Sequence, residues 1–127
     1  DLFKEFEEIE VGFTITTDDE KVAKLFEPNA SPVKDRLTAL AKIHSSGIKT
    51  FVFIGPLLPG NPENLIENLS EKADMIFIDR MNYLNSIKGF YQRFGLQWGT
   101  TDEFFEEYKE RLVSELLKRK IKFQVLF

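Results

Sequence analysis

The sequence predicts an α/β fold built on a parallel sheet, and three observations lead there. Four short apolar or β-branched runs recur along the chain, at VGFTIT, IKTFVFI, MIFID and IKFQVLF. The stretches between them carry helical periodicity and are long enough to cross over and pair strands in parallel. Helix-start signals, a polar cap followed by proline or by an acidic turn, stand where those stretches begin. The order is β-α-α-β-α-β-α-α-β. A sheet of this kind is either open or curled into part of a TIM-like barrel.

VGFTIT, residues 11 to 16, reads as a buried first strand. Thr17-Asp18-Asp19-Glu20 has capping-box spacing, so Thr17 is expected to cap a short helix running to about Phe26. Ser31-Pro32 offers a cap with proline at the first helical position. Val33, Leu37, Leu40, Ala41 and His44 then form one helical stripe, which Gly47 can end in a left-handed cap. IKTFVFI, 48 to 54, is the second strand and Gly55-Pro56 stops it. Asn61-Pro62 repeats the cap-plus-proline device ahead of a helix whose apolar face is Leu65, Ile66, Leu69 and Ala73. MIFID, 75 to 79, is the third strand. Helical turns are expected from Leu84 to Phe94 and a loop from Gly95 to Gly99. Thr100-Thr101-Asp102-Glu103 opens a long helix whose Phe105, Tyr108, Leu112, Leu116, Val113 and Leu117 are expected to face inward. IKFQVLF closes the chain as the fourth strand.

Composition narrows the function classes. The 127 residues, 43% hydrophobic, suffice for one core and not for two ordinary domains, so 1–127 is read as a single α/β domain. A net charge of -4 gives no broad cationic field for nucleic acid or anionic membrane. Cysteine is absent, which removes disulfides, thiolate metal sites and cysteine nucleophiles. No apolar run approaches the roughly 18 residues of a membrane span and no signal-peptide pattern opens the chain, so a cytoplasmic location is expected. DLFKEFEEIE starts in a helix-like rhythm without methionine, and we expect sequence to precede it.

Ligands of parallel α/β folds gather at the carboxyl ends of the strands, which directs attention to four places. Thr14, Thr16 and Thr17 end the first strand with hydroxyls suited to a ribose or carboxylate, though threonine is also an ordinary strand and cap residue. Gly55-Pro56-Leu57-Leu58-Pro59-Gly60 makes a stiff rim poor in side chains; it lacks the lysine and spaced glycines of a phosphate loop. Asp79, Arg80 and Asn82 end the third strand, either to hold a polar substrate or to satisfy their own loop. Glu27 and Arg36 bracket Pro28 and Pro32, and are aimed at a zwitterion or, as physics alone favours, at each other. His44 has no nucleophile or metal-spaced partner and reads as a packed or surface histidine. Phe104, Phe105 and Tyr108 read as core, and Glu106 to Arg111 as a solvated helix face.

From GFTITT through Glu27-Pro28-Asn29-Ala30-Ser31-Pro32, Arg36-Leu37 and Gly47-Ile48 to Pro56-Leu57-Leu58-Pro59-Gly60, the chain resembles the radical SAM proteins of the spore photoproduct lyase and DNA repair photolyase-like group. Those families run a strand like "fSItT", then E-P-x-A-P, an arginine-leucine helix, a Gly-Ile pair and a strand ending in Pro-x-x-Pro-Gly. The match covers about 50 residues and is loose beyond residue 62.

The resemblance implies the C-terminal part of a TIM-like partial barrel, with S-adenosylmethionine and a [4Fe–4S] cluster as cofactors of the parent protein. In that chemistry S-adenosylmethionine is cleaved reductively to a 5′-deoxyadenosyl radical that abstracts hydrogen from a substrate. Carried over, Thr14 and Thr16 face the cofactor, Glu27 and Arg36 bind its charged tail or order the loop beside it, and Pro56 and Leu57 lie near adenine. Asp79 and Asn82 are substrate-side candidates from strand-end position alone, and no catalytic or metal-ligating residue is assigned. The family's CxxxCxxC loop lies upstream of the matched region, so this chain is expected to be inactive alone and to need the cluster-binding part of the same protein. Self-association through exposed sheet edges is a further expectation. The alternative is a non-catalytic α/β module binding a nucleotide or other cofactor.

Overall fold

The computed structural model describes residues 10–55, 57–79 and 92–127. Its order is β1 (Glu10–Thr14), α1 (Glu20–Phe26), α2 (Val33–Ser45), β2 (Lys49–Ile54), α3 (Pro62–Leu69), β3 (Met75–Ile78), a 3-10 turn (Gln97–Thr100), α4 (Asp102–Lys118) and β4 (Phe123–Val125). Residues 1–9 of the helix-like DLFKEFEEIE and residues 84–91 of the turns expected from Leu84 to Phe94 lie outside the described residues, as do Pro56, Arg80 and Asn82; Glu10 is the first residue of β1, and Gln92 and Arg93 are helical. The expected loop from Gly95 to Gly99 runs into the 3-10 turn, which extends to Thr100.

The four strands form one sheet in the order β1-β2-β3-β4, every neighbouring pair parallel. Right-handed crossovers that add strands in one direction put the connecting helices on one face. The pleat agrees with this. Phe13, Val52, Ile76 and Phe123 stand in one row across the sheet, and Ile54, Ile78 and Val125 in the next. Both rows pack into a core with Leu40, Leu65, Ile66, Leu69, Phe105, Leu112 and Leu116. The alternate residues, Gly12, Phe51 and Met75 and then Thr14, Phe53, Phe77 and Gln124, occupy the opposite face.

Local signals explain most helix boundaries. Asn61 Oδ1 accepts from Asn64 N at 2.8 Å with Pro62 at the first position, the expected start of α3. Thr101 Oγ1 accepts from Phe104 N at 3.0 Å and starts α4. Gly47, at φ 90, ends α2 in the left-handed region as expected.

Two caps differ from the sequence reading. Asp19, not Thr17, caps α1, its carboxylate accepting from Lys21 and Val22 amides; the Thr17 hydroxyl is engaged by the chain of another loop. Ser31 does not cap α2. Instead Pro32 precedes its first turn and the Glu20 carboxylate accepts from Val33 N at 2.9 Å and Lys34 N at 3.0 Å. Leu117, expected inside, is 64% exposed. Strand β1 also stops at Thr14, because beyond Ile15, whose amide still donates to Phe53 O, the chain turns toward Pro59.

Candidate functional site

At the carboxyl end of β1, Arg36 gathers three segments. Its Nη1 donates to the Thr14 carbonyl at 2.8 Å, its Nε to the Ser31 carbonyl at 3.1 Å, and its Nη2 to Glu27 Oε2 at 2.9 Å. Pro28 and Pro32 stiffen the span between Glu27 and α2, so the side chains of Glu27 and Arg36 meet with little loop entropy left to lose. The Arg36 side chain is only 14% exposed. A planar guanidinium suits three acceptors spread in this way, where a lysine ammonium would not. Arg36 is therefore a positioning residue, holding the strand end and the proline loop together.

Thr14, Glu27 and Arg36 thus come together, but through the threonine's carbonyl. The Thr14 side chain is exposed, in register with Phe53 on the sheet face opposite the core rows. Thr16, two residues on, is 1% exposed and its hydroxyl has no hydrogen-bond partner among the described residues. An orphaned buried hydroxyl at this edge is a group that a ligand's polar atom would satisfy.

A second latch ties the β1 and β2 loops. Thr17 Oγ1 donates to Pro59 O at 2.7 Å and accepts from Asp19 N at 3.1 Å. The Asp18 carboxylate accepts from Asn61 N at 2.7 Å and from Asn64 Nδ2 at 2.9 Å. Gly60 is needed here because a Cβ would overlap both Thr17 Oγ1 and Asp18 Oδ1. The contact of Asp18 with the loop at Gly60 was not legible in the sequence, since its partners Asn61 and Asn64 lie 43 and 46 positions away.

The other candidates sit differently. Leu57 is wholly buried in the core, so any contact near adenine would fall to its backbone. Asp79 follows β3, its amide donating to Ile54 O at 3.0 Å and its Cβ lying beside Gly55. That puts it at the end of β3, with β2 between it and the Arg36 hub at the end of β1. Pro56 and Asn82 lie outside the described residues.

At the amino-terminal ends of the strands, a cavity of about 560 Å³ opens between Lys49, Phe51, Asp74, Phe77 and Lys122. The Asp74 carboxylate accepts from Thr50 N at 2.8 Å and lies 3.4 Å from His44 Nε2. His44 thus has the structural setting expected of it. Ligand chemistry in parallel α/β folds belongs to the other end, so this cavity is not the candidate site. Among the described residues no group of three or more His, Cys, Asp or Glu could hold a metal ion, and no helix is long and apolar enough to cross a membrane.

Two curated proteins are similar to parts of this chain. One, from Methanocaldococcus jannaschii and named uncharacterized protein MJ0683, is 41% identical over 59 residues, which are 46% of this chain and 23% of that protein. The other, from Acidianus two-tailed virus and named uncharacterized protein ORF301, is 35% identical over 77 residues, 60% of this chain and 25% of that protein. The chain therefore spans about a quarter of the length of the curated relatives it matches. No protein-family model and no solved structure matches it.

Proposed function

We propose that this chain is part of a radical SAM enzyme, a cytoplasmic protein in which these residues contact S-adenosylmethionine and substrate while another part of the chain holds the cluster. The observation that carries the reading is the Arg36 hub. The segment Glu27-Pro28-Asn29-Ala30-Ser31-Pro32, which resembles the family's E-P-x-A-P with one residue more before its second proline, is pinned by Arg36 to the carboxyl end of the strand that carries GFTITT. A parallel sheet in the order β1-β2-β3-β4 is also the order that successive strands take in a TIM-like barrel, so we read the sheet as an arc of one.

The residues fit the two cofactors unequally. With no cysteine in its 127 residues, this chain has no thiolate for a [4Fe–4S] cluster, and no step through a cluster is assigned to it. For S-adenosylmethionine the exposed Thr14 side chain and the orphaned Thr16 hydroxyl are suitable polar contacts. When bound, S-adenosylmethionine would supply the group whose reductive cleavage starts radical chemistry. Glu27 and Arg36 act on it indirectly, by fixing where Thr14 and the loop around Pro28 stand.

The test is made on the full parent protein. Its gene should encode CxxxCxxC upstream of residue 1, and anaerobic reconstitution with iron and sulfide followed by reductant should release 5′-deoxyadenosine from S-adenosylmethionine. A parent lacking the cysteine triplet, or forming neither cluster nor product, would refute the proposal.

A further inference from the structure

Another cavity, of about 370 Å³, lies between the loop after β2 and the start of α4. Gly60 borders it on one side. On the other stand Trp98, from the 3-10 turn, and Phe104 and Tyr108, from the first two turns of α4. The Trp98 and Phe104 rings meet edge to face at 5.4 Å, and Phe104 lies 5.3 Å from the Tyr108 ring. Trp98 nevertheless leaves 51% of its surface open, a large exposure for an indole that could have packed.

The polar lining is acidic. Glu103 and Glu107 border the cavity, and Arg111, which also lines it, is committed chiefly to Glu63: its Nε and Nη2 donate there at 2.9 and 2.7 Å, and its Nη1 makes a looser ion pair with Glu107 at 3.9 Å. Acidic residues at a helix start have an ordinary role in offsetting its dipole, and alone they would indicate nothing.

Tyr108 supplies the independent sign. The residue is 3% exposed, and its hydroxyl is buried without a hydrogen-bond partner among the described residues. It points toward Gly60, whose hypothetical Cβ would lie 3.5 Å from the hydroxyl oxygen. Burial raises the phenol above its ordinary value and the Asp18 carboxylate adds to that, so it stays neutral, with lone pairs to offer.

We propose that this cavity binds a small primary alkylammonium ligand, its methylenes against Trp98 and Phe104 and its charged head between Glu103, Glu107 and the Tyr108 hydroxyl. Each part of the lining has a task in that arrangement. The aromatic faces attract a cation and cover its alkyl stem, the carboxylates match its charge, and the phenol oxygen accepts an N–H that carboxylates alone would leave to water. An anion would meet two carboxylates there. The site requires neither S-adenosylmethionine nor a cluster, so it stands or falls apart from the radical SAM reading.

Trp98 is the only tryptophan of these 127 residues, and its fluorescence reports on the cavity directly. Titrating the protein with n-butylammonium chloride should give a saturable change that sodium chloride at equal ionic strength and methyl glucoside do not reproduce. Nα-acetyl-lysinamide, which presents the same ammonium from a peptide backbone, should bind more weakly if the ligand is a small free amine. The Glu103→Gln/Glu107→Gln double variant should weaken butylammonium severalfold, as expected for losing two exposed carboxylates. Tyr108→Phe should weaken it severalfold while leaving Tm equal or higher, because a hydroxyl that serves only the ligand is an unsatisfied burden to the empty fold. The proposal is overturned by any of three results: no saturable change, the same change with sodium chloride or methyl glucoside, or affinity untouched by the double variant.

Discussion

Arg36 shows what one residue can decide in this fold. Removing its side chain by Arg36→Ala deletes three charge-assisted hydrogen bonds and leaves the partly buried Glu27 carboxylate without its cation. The expected loss is about 3 kcal/mol of unfolding free energy, measured by urea denaturation. Arg36→Lys keeps the charge but cannot reach three acceptors arranged around a plane, so it should recover only a small part. A lysine variant as stable as the original chain would mean that charge alone matters and that the hub does not exist. The pairing of Glu27 with Arg36 was legible in the sequence because the prolines between them limit where the two can go. The other two acceptors of Arg36 were not, since the Thr14 and Ser31 carbonyls are backbone, and any residue would supply the same oxygen there.

Among the elements, what was legible followed distance along the chain. Asn61-Pro62 and Gly47 act on their own helices and were readable as they stand. Thr17 and Ser31 have equally good cap chemistry, yet tertiary contacts reassign both ends: Thr17 is held by Pro59, and Glu20 reaches across to the start of α2. Glu20→Ala should therefore cost about 1 kcal/mol and speed hydrogen exchange at Val33 and Lys34, in α2, more than within α1. Faster exchange confined to α1 would contradict the crossed cap. Helices α3 and α4 are joined by the two-pronged Arg111–Glu63 pair, which holds the Glu63 carboxyl below its ordinary 4.5. A carboxylate with a lowered folded pKa contributes stability that is complete above the unfolded value and lost as pH falls through the folded one. Both side chains are more than 40% exposed, so water and salt screen the gain. Accordingly, Glu63→Gln should be slightly less stable near pH 7 and converge with the unmodified protein in strong acid. A gap that stays constant from neutral to acid pH would assign the loss to packing and not to the charge.

Across the whole molecule, the strand order imposes a difference between the two faces of the sheet. The helices bury one face, where Val52, Ile54, Ile76 and Ile78 are 0% exposed. On the other, Phe51, Phe53 and Phe77 are half-buried; Phe51 and Phe77 meet edge to face at 6.0 Å, and the Phe51 ring lies over Gly12, where a Cβ would overlap it. Four apolar runs and helical crossovers made the α/β class legible, but MIFI and KTFVFI are apolar on both faces, so no polar alternation marks which side the helices cover. Neighbouring positions on β3 separate the faces by experiment. Ile78→Ala opens a cavity in the core and should cost about 3 kcal/mol, whereas Phe77→Ala, although it removes a larger side chain, should cost about 1 kcal/mol because water already reaches that ring. Unfolding at several protein concentrations completes the comparison. Equal losses at every concentration would mean that the second face is packed within the chain, and a Phe77→Ala loss that grows with concentration would mean that copies of the chain cover it. Either result would contradict a sheet whose two faces differ through helix coverage alone.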